Sequence, residues 1–187
     1  MNKENIVFGV SGLIIGILLG ILAGGKVTGG SPAGPAAVQQ AAGPAGNPAQ
    51  LSARISELEA IVAKDPKNVQ AWISLGNDYF DAHNPQKSVQ AYAKALELDP
   101  NNPNVLTDQG VMFRALGFFD RALANFEKAN TINPKHLQSL FNQGIVYAVD
   151  LKQPAKARTV WEKLIAQEPG SDMARQAKEM LSQLPAK

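Results

Sequence analysis

The chain has no cysteine, and only two of its 187 residues are histidines. Without cysteine, the protein can form neither a disulfide-stapled scaffold nor a zinc site with thiolate ligands. A charge excess of one sign is also missing, because 18 Lys and Arg stand against 16 Asp and Glu and no basic stripe is present. Since nucleic-acid-binding domains carry such a basic patch or stripe, we expect no nucleic acid among the partners.

Residues with chemistry to offer are few and scattered. His83 lies in a predicted turn and His136 near a predicted helix start, and neither has a paired carboxylate at ligand spacing. We therefore expect two solvent-exposed turn histidines, no metal site and no cofactor. Asp78 and Asp81 are three residues apart, which indicates a solvated helix face rather than an acid–base pair. No nucleophile elbow, zinc-protease helix or calcium loop occurs, so the sequence predicts a protein that is not an enzyme.

What the sequence does contain is a repeat, because Gly76, Gly110 and Gly144 follow one another at steps of 34 residues. Around each glycine the chain places a large apolar residue, an aromatic residue, a small residue, a second aromatic residue and a proline. These positions are Trp72, Tyr79, Ser88, Tyr92 and Pro100, then Leu106, Phe113, Ala122, Phe126 and Pro134, then Leu140, Tyr147, Ala157, Trp161 and Pro169. The third copy has one extra residue between Tyr147 and Ala157, where we expect a helix-to-helix turn.

The pattern within each copy predicts a pair of helices. Apolar residues recur at intervals of three and four, as in amphipathic helices, and the prolines separate one copy from the next. Asn84–Pro85 and Asn102–Pro103 predict capped helix starts, and Gly117 predicts a helix end. The pattern resembles the tetratricopeptide repeat, whose signature is W-x2-L-G-x2-Y, then A-x3-F, then P.

The resemblance implies an all-α helical-repeat solenoid with three full repeats, at about residues 69–102, 103–136 and 137–171. The repeat domain as a whole is expected to cover residues 51–187. Within it, residues 51–64 are predicted to form the second helix of an incomplete repeat. Residues 171–184 are predicted to form a capping helix, since a solenoid needs a half-polar terminal helix to shield its last repeat from water.

The N-terminus holds the one long hydrophobic run. Residues 5–25 contain no charge, and a helix of that length spans roughly 30 Å, enough for a bilayer core. Residues 1–25 are therefore predicted to be a single-pass transmembrane anchor. A cleaved signal peptide is the alternative, but its apolar region is usually shorter, and Ile21 stands where a cleavage site needs a small residue. Residues 26–50, rich in Gly, Pro and Ala, are predicted to be a flexible linker.

Four glycines in the anchor recur every fourth residue, namely Gly12, Gly16, Gly20 and Gly24. Such a stripe lets another helix approach closely in a membrane, which predicts packing of the anchor against a second copy or a partner helix. The alternative is ordinary composition, because glycine is common in membrane helices. An anchor at the very start of the chain, followed by a folded domain, favours a repeat domain outside the cytoplasm.

The resemblance also implies a binding surface. In tetratricopeptide proteins the first helix of each pair lines a concave groove, which usually holds an extended or helical peptide of a partner. Carried over to this chain, the groove would be lined by Ile73, Asn77, Phe80, Thr107, Val111, Arg114, Phe141, Ile145 and Ala148.

A charged clamp for a C-terminal carboxylate, which some members of the family have, is not expected here. The positions at issue hold other kinds of residue, namely Ile73, Asp108, Gln138 and Asn142. An apolar groove, with Asn77 and Arg114 as orienting polar groups, fits the sequence better. For Phe80, Phe141 and Ile145 the alternative is a place in the core between repeats.

Anchor, linker and repeats together resemble bacterial membrane-tethered tetratricopeptide proteins, including the repeat subunits of c-type cytochrome maturation. The resemblance implies a location in the bacterial inner membrane with the repeat domain in the periplasm. Two functional hypotheses follow. One is a peptide-capturing assembly factor or chaperone at the membrane. The other is a structural scaffold that oligomerises through its glycine-striped anchor.

Overall fold

A computed structural model describes residues 47–185, which form eight α-helices, one π-helical turn and no strand. The helices are α1 (Pro48–Lys64), α2 (Val69–Asp81), α3 (Pro85–Leu98), α4 (Pro103–Ala115), α5 (Phe119–Ile132), α6 (Leu137–Ile145), α7 (Pro154–Gln167) and α8 (Asp172–Gln183). The π-turn (Val146–Asp150) directly follows α6. Each helix packs on the next along the chain, and α6 also contacts α4 and α8. The predicted all-α helical-repeat fold is confirmed.

Asparagine side chains begin the first four helices. Each accepts a hydrogen bond from a backbone N–H of the first turn, which would otherwise lack a partner; these residues are Asn47, Asn68, Asn84 and Asn102. The predicted starts after Asn84 and Asn102 are confirmed. Helix α1 begins at Pro48, three residues before the predicted start, because Asn47 caps it and proline suits the first turn of a helix.

The turns inside the three repeats have one common design. Each turn has three residues, 82–84, 116–118 and 151–153. The backbone of the middle residue adopts the left-handed conformation. The φ angles are 53° at His83, 78° at Gly117 and 54° at Lys152. Glycine adopts this conformation without strain, whereas the Cβ atoms of His83 and Lys152 make it less favourable. The helix end predicted at Gly117 is therefore confirmed, and the other two repeats reach the same geometry without glycine.

The extra residue of the third repeat lies in the helix, not in the turn where it was predicted. Helix α6 and the π-turn together cover residues 137–150, one residue more than the 13 of α2 or α4. The Leu151 N–H donates to the Val146 carbonyl at 2.9 Å, five residues back, which is the π-type bond that accommodates an inserted residue. Asp150, at the end of the π-turn, thus takes the place that Asp81 and Ala115 have at the ends of α2 and α4.

An aromatic ring lies against the glycine of every repeat. The pairs are Gly76 with Tyr92, Gly110 with Phe126 and Gly144 with Trp161. All three rings are buried, and a Cβ atom added at Gly110 would lie 2.6 Å from the nearest ring carbon. No real Cβ contact is that short, so the repeat requires glycine at this position.

Polar contacts attach α1 to the first repeat. Asp78 was predicted to be solvated, but it is fully buried and forms an ion pair with Arg54 of α1. Burial raises the pKa of Asp78, and the Arg54 charge opposes that shift. Next to this pair, the Tyr79 hydroxyl donates to Glu59, and this hydrogen bond lowers the pKa of the Glu59 carboxyl. The Asp78 carboxylate is buried because α1 covers a face of α2 that the sequence pattern predicted to be solvated.

The N-terminal predictions fall outside the described residues. These are the anchor at residues 1–25 with Gly12, Gly16, Gly20 and Gly24, and nearly all of the linker at residues 26–50. Among the helices found between residues 47 and 185, none is both long enough and apolar enough to span a bilayer.

Candidate functional site

One strip along the first helices of the three repeats stays partly accessible to solvent. The glycines mark the side of α2, α4 and α6 that packs on the second helices α3, α5 and α7. A residue two positions before each glycine lies about 200° around the helix, on the opposite side. Those residues are Ser74, Asp108 and Asn142, and all three are half-buried. We call this side of α2, α4 and α6 the groove face.

Most of the predicted binding residues lie at the margin of the groove face, between neighbouring repeats. One apolar cluster contains Ile73, Phe80 and Val111, packed with Tyr92, and another contains Phe141, Ile145 and Ala148, packed with Trp161. All six are half-buried. They are therefore part of the core between repeats, and they offer only their remaining accessible surface to a partner.

Thr107 is a correction to the predicted set, because its side chain is fully buried. Its hydroxyl donates to the Pro103 carbonyl at 2.8 Å and lies 3.4 Å from Nδ1 of His136. The start of α6 covers it. Thr107 therefore stabilises the junction between the second and third repeats and has no surface to offer a peptide.

Asn77 sits beside the groove face and has one half of its amide engaged. Its Oδ1 accepts a hydrogen bond of 2.8 Å from the Tyr92 hydroxyl. No acceptor for its Nδ2 is found within residues 47–185, so the amide N–H groups stay available as donors. The pKa of Tyr92 is raised first by burial and then by the negative charge of Asp108.

Arg114 is engaged inside the protein. Its Nε lies 2.5 Å from Oδ2 of Asp150, and its Nη2 lies 3.3 Å from Oδ1. This is a bidentate ion pair, in which the planar guanidinium matches the carboxylate. The side chains are 32% and 15% exposed, respectively. The π-turn supplies Asp150, so the inserted residue decides what Arg114 binds.

Asp108 is a candidate site residue that the predicted list does not contain. It is half-buried on the groove face, and within the described chain it makes no hydrogen bond and no ion pair. Burial raises the pKa of its carboxyl to about 6, and no cation counteracts that shift. The signal that could have found it is its position two residues before Gly110, on the side of α4 away from α5.

The first and second helices of the repeats differ in their charged residues. The segments of the first helices, α2, α4 and α6 with its π-turn, contain Arg114 as their one basic residue and four aspartates. The second helices, α3, α5 and α7, contain seven Lys and Arg against four acidic residues. By residue count, the first helices therefore carry an excess of negative charge and the second helices an excess of positive charge.

His136 is a structural residue rather than an exposed turn histidine. It is half-buried and caps α6, with Nδ1 accepting from the Ser139 backbone N–H at 3.3 Å. Its Nε2 lies 2.9 Å from Oδ1 of Asn104, so the neutral ring donates there. His83 is exposed, as predicted. Within residues 47–185, no three groups of the metal-binding kind converge on one point.

Similarity to known proteins agrees with this architecture. Tetratricopeptide repeat models match residues 69–102 and 138–171. The chain contains tetratricopeptide repeats. A curated relative, the human (Homo sapiens) protein O-mannosyl-transferase TMTC3, is 38% identical over 86 residues, which are 46% of this chain and 9% of that protein. The match therefore covers a small part of this relative, and the name transferase refers to the full-length relative.

Two solved structures share the fold at low identity. YrrB, described as a tetratricopeptide protein with an unusual peptide-binding site, has a TM-score of 0.64 and 22% identity, covering 70% of this chain and 67% of its own. The first tetratricopeptide domain of Spaghetti (RPAP3), bound to the HSP90 peptide SRMEEVD, has a TM-score of 0.56 and 22% identity, covering 62% and 93%. The described repeats thus share the tetratricopeptide fold with these two structures.

Proposed function

We propose that the groove face binds a peptide segment of a partner protein and that the chain has no enzymatic activity. The observation that carries the proposal is the unsatisfied chemistry of this face. Asp108 is half-buried and has no partner within residues 47–185, where the Asn77 amide also keeps free donors. Half-buried apolar residues flank both side chains. Peptide binding by the structural neighbours supports the same use of the fold.

The proposed setting is a membrane. An N-terminal anchor and a flexible linker would keep the repeat domain within reach of the bilayer. The uncharged run at residues 5–25 supports this proposal, as does the Gly- and Pro-rich composition that follows it. We place the repeat domain in the periplasm of a bacterial cell and the anchor in the inner membrane.

The proposed role is that of an assembly factor or chaperone, and c-type cytochrome maturation is one pathway that uses this architecture. The alternative role is a scaffold that oligomerises through the anchor, which the four regularly spaced glycines favour. An in-membrane dimerisation assay of residues 1–30 separates the two. If the scaffold role holds, Gly16→Leu with Gly20→Leu abolishes association without preventing insertion; equal signals from mutant and wild type would exclude it.

Peptide binding itself is tested by selection from a random library of 12-residue peptides displayed on phage, with the full chain held in detergent. A selected peptide should bind the variant Asn142→Trp at least about tenfold more weakly, a loss of about 1.4 kcal/mol, because the indole fills the groove face. The control is Ala124→Trp, at an exposed position on α5. Failure to select any peptide, or equal weakening by both variants, would refute the proposal.

A further inference from the structure

The charge pattern of the groove face indicates which peptide it accepts. A desolvated carboxylate is costly unless a cation or hydrogen-bond donors compensate it, and Asp108 has neither within the described chain. The other acidic groups of the first helices are accounted for differently. Asp78 pairs with Arg54, Asp150 pairs with Arg114, and Asp81 is exposed to water. Asp108 is thus the half-buried carboxylate that a ligand has to compensate.

Resting on the proposed function, we propose that the groove face binds an apolar peptide segment with one lysine or arginine, whose cation contacts Asp108, and that Asp150 excludes acidic segments by occupying Arg114. The apolar part of the segment would contact the half-buried margin residues Val111 and Ile145. The Asn77 amide would donate to a backbone carbonyl of the same segment. A cation at this place also lowers the raised pKa of Asp108, so binding and ionisation support each other.

The exclusion of acidic segments follows from the π-turn. Arg114 is the one basic residue of the three first helices, and both oxygens of Asp150 already hold it. An acidic peptide would have to displace Asp150 and leave that carboxylate uncompensated. This is specificity through an unfavourable alternative, because the wrong ligand meets negative charge at Asp108 and at Asp150. In the first two repeats the equivalent helix ends are Asp81 and Ala115. Ala115 is uncharged, and Asp81 forms no ion pair within residues 47–185.

The same phage-displayed library, selected on the full chain in detergent, tests the preference. We expect lysine or arginine to be enriched at one peptide position in the wild type and that enrichment to disappear with Asp108→Asn. A selected peptide should bind Asp108→Asn about tenfold more weakly, whereas its lysine-to-norleucine counterpart should bind both proteins equally. Asp120→Asn, which removes an exposed charge from α5, is the matched control and should change nothing.

The second part of the test concerns Asp150. Asp150→Asn should release Arg114 and allow acidic residues into the selected peptides, and the double variant Arg114→Gln with Asp150→Asn should lose them again. Thermal unfolding of each variant checks that the fold is retained; the uncompensated charge of Asp108 means that Asp108→Asn should unfold no earlier than the wild type.

Each outcome is decisive. Selected peptides without a basic residue, or with acidic residues in the wild type, would overturn the charge preference and leave peptide binding standing. Basic enrichment that persists in Asp108→Asn would move the cation to another group. Acidic enrichment absent from Asp150→Asn, although the fold is intact, would overturn the role of Asp150. No selected peptide at all would refute the proposed function together with this inference.

Discussion

The two ends of the described helix stack differ in their contacts. At the N-terminal end, Ile55, Leu58 and Val62 of α1 pack in an apolar cluster, and polar contacts add to it. Val62 is the one residue of α1 that is buried. The remaining attachment includes the ion pair between Arg54 and Asp78 and the hydrogen bond from Tyr79 to Glu59. Lys87 of α3 joins this group, 3.4 Å from Glu59. An attachment of this kind depends on ionisation and on salt.

The C-terminal end is held by apolar burial. Helix α8 places Ala174 and Ala177, both fully buried, in one cluster with Trp161 and Leu164. The small side chains let α8 approach α7 closely, and half-buried methionines and leucines surround the contact. Because burial of uncharged surface does not involve ionisation, this end should keep its stability when pH or salt changes. We therefore expect the N-terminal end to respond more strongly to pH and salt than the C-terminal end.

The largest effect is expected where a glycine meets a buried ring of the C-terminal half. Gly144→Leu forces a side chain into the Trp161 ring, which is fully buried and whose N–H donates to the Phe141 carbonyl at 3.1 Å. We expect a loss of about 1–3 kcal/mol in the free energy of unfolding, measured with urea. Gly170→Leu is the control, because a Cβ atom there meets nothing within 4 Å. Equal losses from both variants would contradict the assigned helix packing.

A smaller effect is expected from removing an ion pair at the N-terminal end. Arg54→Ala leaves the buried carboxylate of Asp78 without its cation, and we expect a loss of about 1 kcal/mol and earlier proteolysis of α1. The estimate is modest because the Arg54 side chain is 60% exposed.

The matched comparison for Arg54 is Arg175→Ala at the opposite end, which breaks the exposed pair between Arg175 and Asp172. Removal of that pair should leave stability unchanged within about 0.5 kcal/mol. If both arginine variants behave alike, the contrast between the two ends is wrong.

The smallest effect concerns the one helix start that is capped by histidine. Burial lowers the pKa of His136, so its folded-state pKa lies below the unfolded value. Its contribution to stability is complete above the unfolded value of about 6.5 and is lost as pH falls through the folded value. Protonation also removes the Nδ1 acceptor from the Ser139 N–H, and the neighbouring groups Thr107, Asn104 and Asn130 are uncharged.

The test of this cap compares His136→Asn with the wild type at pH 7.5 and pH 5.5. Asparagine caps α1 to α4, so the variant should fold and lose the decline at low pH, a difference under about 1 kcal/mol. Asp108 has the opposite effect: its pKa is raised to about 6, so its protonation stabilises the folded protein as pH falls. This contribution is the same in wild type and variant, and it cancels when their free energies of unfolding are subtracted. An unchanged pH dependence would show that His136 does not sense protons.

The periodic part of the fold could be predicted from sequence, because glycine, aromatic and proline positions repeat every 34 residues and each has a local physical reason. The π-turn could not. An extra residue between Tyr147 and Ala157 fits a loop or a helix equally well until the turn is seen to keep its length. The burial of Asp78 was also beyond the pattern, since α1, which supplies Arg54, lies outside the repeats.

The candidate site was less predictable than the fold. Positions carried over from the repeat family led to the margin of the groove face, where Thr107 proved buried because His136 covers it. The pairing of Arg114 with Asp150 joins residues 36 apart and depends on the inserted residue, so no local pattern announces it. Asp108 is defined by the partners it lacks, and only packed neighbours can show that.

The central claim is that the groove face of α2, α4 and α6 binds peptide, and hydrogen–deuterium exchange tests it most directly. The full chain in detergent is compared with and without a peptide selected from the library. The account predicts slower backbone exchange in α2, α4 and α6 with its π-turn, and unchanged exchange in α3, α5 and α7. Slower exchange confined to α3, α5 and α7, with α2, α4 and α6 unaffected, would contradict it.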